Sequence, residues 1–124
     1  GELGNADSYN NIAGAYFNGD GVEKDNTKAR YYGELAAMKG NVAARHNLGL
    51  VELKAGNVSR ALKHYMIAAG DGYDKSVSQI RQFFVNGHAT KDDFERALRA
   101  NKEAKDEVQS DQRDIAAKFY IGRR

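Results

Sequence analysis

Apolar residues recur along this chain with the period of a helix. Tyr9, Ile12, Ala13 and Tyr16 follow the i, i+3, i+4, i+7 spacing that gathers side chains on one helical face, and Ala29, Tyr32, Leu35 and Ala36 repeat it. Between such stretches stand pairs that suit a helix end followed by a helix start: Gly4-Asn5, Gly40-Asn41 and Gly56-Asn57. Thr90 and Asp93 have the spacing of a capping box, with Asp in the place usually held by Glu. The pattern predicts about seven helices, near 5–18, 25–39, 42–54, 58–70, 74–86, 91–108 and 111–120, and no proline interrupts any of them.

The elements are copies of one another. Gly19 to Ala29 lies over Gly87 to Ala97 at a shift of 68 residues, which also sets Ile12 on Ile80, Tyr16 on Phe84 and Asn18 on Asn86. A shorter unit sits between them, with Gly4 onto Gly40, Ile12 onto Leu48, Ala29 onto Ala61 and Ala36-Ala37 onto Ala68-Ala69. Residues 115 to 122 repeat the types of Ile12 to Gly19. Tandem repeats of this length read as a solenoid, because one helix pair cannot bury its apolar face without the next. The expected architecture is all-α: a single domain over 1–124, forming a right-handed superhelix of antiparallel helix pairs. Its units fall at about 4–39, 40–71 and 72–108, with a partial fourth unit or capping helix at 110–122.

The small residues have a packing reason. Ala29, Ala61 and Ala97, with the two Ala-Ala pairs, mark places where one helix crosses close to another and a larger side chain overpacks. Tyr16, Tyr31, Tyr32, Tyr65 and Phe84 are expected to fill the gaps between them.

Composition narrows the picture further. With 124 residues the chain suits one core, and with no cysteine it offers no disulfide, thiolate metal site or nucleophilic thiol. A net charge of +2 is too small to argue by itself for a nucleic-acid footprint, and the charge is dispersed, with no basic stripe beyond Arg123 and Arg124, so no nucleic-acid partner is expected. No stretch is apolar and long enough to span a bilayer, and GELGNADSYN is unlike a signal peptide. The lack of an initiator Met points to a processed or excised segment, and the compartment stays open.

At Asn11 to Gly40, NIAGAYFNGDGVEKDNTKARYYGELAAMKG, the sequence resembles the Sel1-like repeats, a branch of the tetratricopeptide-like superhelical scaffolds. His46 to Gly49 and Ala68 to Ser76 extend the resemblance, which covers roughly residues 4 to 122. There are departures. Ala13 and Arg81 stand where that pattern has the Gly retained at Gly49, the middle unit lacks the GDGV loop, and the third has lost its Ala-Ala pair. The resemblance implies an adaptor that holds partner proteins, with no catalysis and no cofactor.

Scaffolds of this class bind along the groove lined by the first helix of each unit. The polar residue before each Ile or Leu reads Asn11, Asn47, Gln79 and Asp114, three carboxamides and a carboxylate. A carboxamide there can pair donor and acceptor with an extended peptide backbone, or it can hydrogen-bond the neighbouring unit and organise the stack. Asn10, His46, Leu50, Lys54, Lys75 and Gln82 complete the candidate groove by the same register.

Other chemistry finds little support. His46, His64 and His88 lack metal-ligand spacing; Asp20, Asp25, Asp71 and Asp74 read as caps and turns; no phosphate-binding or nucleophile-elbow motif occurs. Asn57-Val58-Ser59 is formally a glycosylation acceptor, but Asn57 reads as a helix cap. The charged run Glu95 to Asp106 reads as a solvated helix face. The leading expectation is a scaffold that takes up a partner polypeptide. The alternatives are a structural segment, monomeric or weakly self-associating through Ile115, Phe119, Tyr120 and Ile121, and a regulatory segment of a multidomain enzyme.

Overall fold

Two glycines show how the chain turns from helix to helix. Gly40 and Gly72 sit at φ +92° and +95°, a left-handed conformation that closes one helix and that a side chain would strain. Beyond Gly40, Asn41 opens the next helix, its side chain accepting from the Ala44 N–H at 2.9 Å. Asp25 does the same one turn earlier in the array, accepting from Lys28 N–H at 3.1 Å. The Thr90–Asp93 capping box is reciprocal, both bonds being 3.0 Å.

The structure, a computed structural model, describes residues 2–122, and within them the side chains of 4–109 and 112–118. It is all-helical, with six helices: α1 (Glu2–Asn18), α2 (Asn26–Met38), α3 (Val42–Lys54), α4 (Val58–Gly70), α5 (Asp74–Val85) and α6 (Lys91–Gly122). Each packs on its neighbour in sequence, and α1 also touches α3 and α4 touches α6. That is the contact pattern of an α-helical repeat solenoid, in which every unit leans only on those beside it.

The alanine register holds the seams. Ala29, Ala36, Ala61, Ala68 and Ala69 have no exposed surface, and Ala97 almost none. Tyr65 is the largest side chain fully enclosed; it lies edge-on to Phe83 in the cluster that also holds Ala61, Ala69, Ile80 and Ala97. Its ring passes over Gly49, where a methyl group would stand 2.5–2.8 Å from three ring carbons. That close approach explains the glycine.

Four expectations need correction: Gly4-Asn5 separates no two helices but lies inside α1, which begins at Glu2. α6 runs on through the break predicted near 109–110, so the helices number six and not seven. The segment Lys105 to Gln112 has neither glycine nor proline to stop it and consists largely of residues that tolerate a helix interior. Among the aromatics, Tyr31 and Phe84 are exposed and fill no gap: α5 turns Ser76, Ile80 and Phe83 inward, and Phe84, one position round, stacks on Phe94 at the edge. Asn57 occupies the N-cap position of α4 without making a side-chain cap; its amide donates instead to Glu52 Oε2 at 3.0 Å. Ile12 is 37% exposed, whereas its counterparts Leu48 and Ile80 are buried. Of the apolar patch expected on the final helix, Ile115 is described and exposed, whereas Phe119, Tyr120 and Ile121 lie outside the described side chains. Arg123 and Arg124 lie outside the described residues altogether.

Candidate functional site

The first helices of successive pairs, α1, α3 and α5, carry nine of the ten candidate groove residues, and the fold collects most of these into two depressions. His46, Lys75, Gln79 and Gln82 line an open polar cleft together with Ser78 and Arg81. Asn47 and Leu50 line a smaller apolar pocket of about 190 Å³ between α1, α2 and α3. Residues 46 and 47 are adjacent in α3, so both depressions border that helix. No Asp or Glu lines either one, and the cleft has Lys75 and Arg81 at its wall.

The remaining candidates fall as follows. Asn10 accepts from the Asn47 side chain at 3.2 Å, so a carboxamide pair ties α1 to α3 at the surface. Asn11 is exposed beside it. Lys54 holds its ammonium 5.2 Å from the centroid of the Phe17 ring, and Phe17 is part of the apolar pocket. Asp114 sits on the exposed continuation of α6, away from both depressions.

His46 is half structural in character. It is 7% exposed, shares a hydrogen bond with Ser76 Oγ at 2.7 Å, and lies between the rings of Tyr65 and Tyr73. Burial, helped by the positive charge of Lys75, pushes its imidazole below the ordinary value, so the neutral form faces the cleft. His64, on α4, is lowered chiefly by burial too, and its Nδ1 has no hydrogen-bond partner among the described residues. Burial pushes the Tyr65 phenol up to about 12, which leaves it protonated and unreactive.

A polar network went unread in the sequence. Glu52 is buried in α3, its carboxylate receiving Arg30 of α2 and the Asn57 amide, with Arg60 at 3.9 Å. Burial alone raises a carboxyl; here the hydrogen bonds of Arg30 and Asn57 and the nearby guanidinium charges outweigh it and hold Glu52 below its usual range. A signal existed: Glu52 follows Leu48 by four residues, on the inward face of α3. In the third pair, Asn101 is similarly buried and donates to the Ala69 carbonyl at 3.1 Å.

No group of three or more His, Asp or Glu side chains capable of holding a metal ion occurs among the described residues. No described helix is long and apolar enough to cross a membrane. What the fold and its surface define is a helical-repeat scaffold, with shallow depressions on the face of its first helices. Residues 6–41 match the family model of the Sel1 repeat, consistent with a Sel1-like repeat protein. Sel1 repeats are in general protein-interaction repeats, a non-catalytic kind of scaffold. No curated protein matches the chain.

Proposed function

We propose that the chain is an adaptor that takes up an extended segment of a partner polypeptide along the face of α1, α3 and α5, without catalysis. Three helix-pair units, about 4–39, 40–71 and 72–108, form the binding body, stacked as a right-handed superhelix, and 110–122 extends it. The observation that carries this reading is the convergence of Asn47, Leu50, His46, Lys75, Gln79 and Gln82 on two adjoining depressions free of carboxylates. Carboxamides at Asn47 and Gln79 suit backbone pairing with a peptide whatever its sequence, and the basic wall favours acidic side chains beside it.

Photocrosslinking tests it directly. A photoreactive residue at Asn47 or Gln79 is expected to capture a polypeptide that the same residue at Glu34 of α2 or Lys63 of α4 does not. Equal capture through α2 and α4 contradicts the proposal. A second reading rests on α6, whose side chains from 112 to 118 are all exposed, including Ile115. An uncovered helix of that kind suits docking on another chain, and a concentration-independent monomer in light scattering counts against it.

A further inference from the structure

The three second helices carry different residues at one equivalent place. The register that sets Ala29 on Ala61 and Ala97 sets Gly33 on Tyr65 and Asn101. On the first helices the facing residues are Ala13 and Gly49. In the second pair, then, the Tyr65 ring lies over Gly49, and in the first pair the space before Gly33 is taken by Leu48, whose Cδ2 would stand 2.9 Å from a methyl there, with the Ala13 methyl at 4.0 Å. The apolar pocket of about 190 Å³ lies here, lined by Ala13, Gly14, Phe17, Gly33 and Leu48. An apolar cavity of about 150 Å³ accepts a benzene ring.

We propose that this pocket receives one aromatic side chain, Phe or Tyr, from an acidic partner peptide, seated against Gly14, Phe17, Leu48 and Leu50. The inference rests on the adaptor reading above and deepens it. The size and lining of the pocket set the ring. The mouth sets the source: Asn47 at the rim bonds Asn10, Lys54 stands over Phe17, and the adjoining cleft presents Lys75 and Arg81 with no carboxylate in either lining. That arrangement complements Asp or Glu flanking the anchor and gives a free aromatic molecule nothing beyond the ring contact itself.

The test uses the full chain and dye-labelled decapeptides of Asp, Glu, Ser and Gly with a central Tyr, Phe or Ala. Replacing the ring by Ala is expected to weaken binding roughly tenfold to a hundredfold, the scale of burying one such side chain. Two variants close the pocket. Ala13→Gly with Gly33→Tyr places a ring against Leu48 at the inner wall of the pocket. Gly14→Leu blocks the mouth at a position where an added Cβ meets nothing within 4 Å, so it keeps the question open if the double variant fails to fold. Either is expected to abolish the preference for Tyr and Phe over Ala while leaving the weaker Ala peptide bound. Tyr and Ala peptides of equal affinity, both weakened by Lys75→Glu, would overturn the pocket inference and leave the adaptor reading standing. N-acetyltyrosine amide binding as tightly as the Tyr peptide would overturn it in favour of a small-molecule site. If no peptide of the series binds, the inference falls, and the adaptor reading is then decided by the crosslinking pattern from Asn47 and Gln79.

Discussion

Gly49 is tied to its neighbours more tightly than any other glycine in the fold, because three carbons of the Tyr65 ring crowd the place of its missing side chain. The ring is enclosed on all sides and cannot step back. Gly49→Ala is therefore expected to destabilise by about 1–3 kcal/mol, the cost of overpacking a filled seam, read as an earlier thermal melt. Gly33→Ala meets the tip of Leu48 instead, a side chain that can rotate, and is expected to cost less. The histidines supply a pH dependence. His46 and His64 are both held below their ordinary value near 6.5 by burial, so the unfolded chain takes up protons before the folded one does. Stability is then full above that value and falls as the pH drops through it; melts from pH 8 to 5 are expected to show the decline, and His46→Gln with His64→Gln to flatten it. Glu52, whose carboxyl is held below its ordinary value of 4.5, adds a second loss only at lower pH, as protonation breaks its link to Arg30. A melting temperature constant across that range contradicts the account of these buried groups.

The helices themselves were legible where the chain marks its own ends. Gly40-Asn41 and Thr90–Asp93 carry both the turn and the cap in the sequence, and the structure uses them so. Beyond Lys105 no such mark exists, since Ser110 alone does not stop a helix of good formers, and the copied pattern at 115 to 122 was read as a new element. Tyr31 and Phe84 misled for a different reason. On a helix one residue step is a turn of about 100°, so an aromatic pair cannot both face inward, and sequence spacing alone does not say which one does. Of the proposed binding face, register set the polar residues on α1, α3 and α5, while the pocket was not legible: Gly14 and Phe17 of α1, Gly33 of α2 and Leu48 of α3 enclose it only once the crossing of their helices is known. At this scale the seam predicts that Ala61→Lys lowers the melting temperature cooperatively, because the residue has no exposed surface and α3, α4 and α5 meet around it. An unchanged melt would show that the alanine register is misplaced. Truncation after Gln109 is expected to leave that melt within about 2 °C, since the side chains of 112–118 are all exposed and a loss of even 1 kcal/mol shifts the midpoint by several degrees.

Among the described residues, each helix packs on its neighbour in sequence, with α1 also on α3 and α4 on α6, so each unit leans on the next. The pieces that make the stack and the pieces proposed to bind are different residues. Ala29, Ala61, Ala97, Tyr65 and Asn101 are buried and carry the packing; Asn47, Lys75, Gln79 and Gln82 reach the surface and add little to it. Asn47 is where the two roles come closest, because its amide also pairs with Asn10. That bond is exposed, and an exposed neutral pair contributes only about 0.5–1.5 kcal/mol at most. The most direct measurement is therefore a paired one on Asn47→Ala: affinity for the polypeptide captured through position 47, and the thermal midpoint, on the same protein. The account predicts binding weakened at least about tenfold, with a midpoint within a few degrees of the parent. Unchanged affinity with a large fall in the midpoint would contradict it, and would make the carboxamides organisers of the stack.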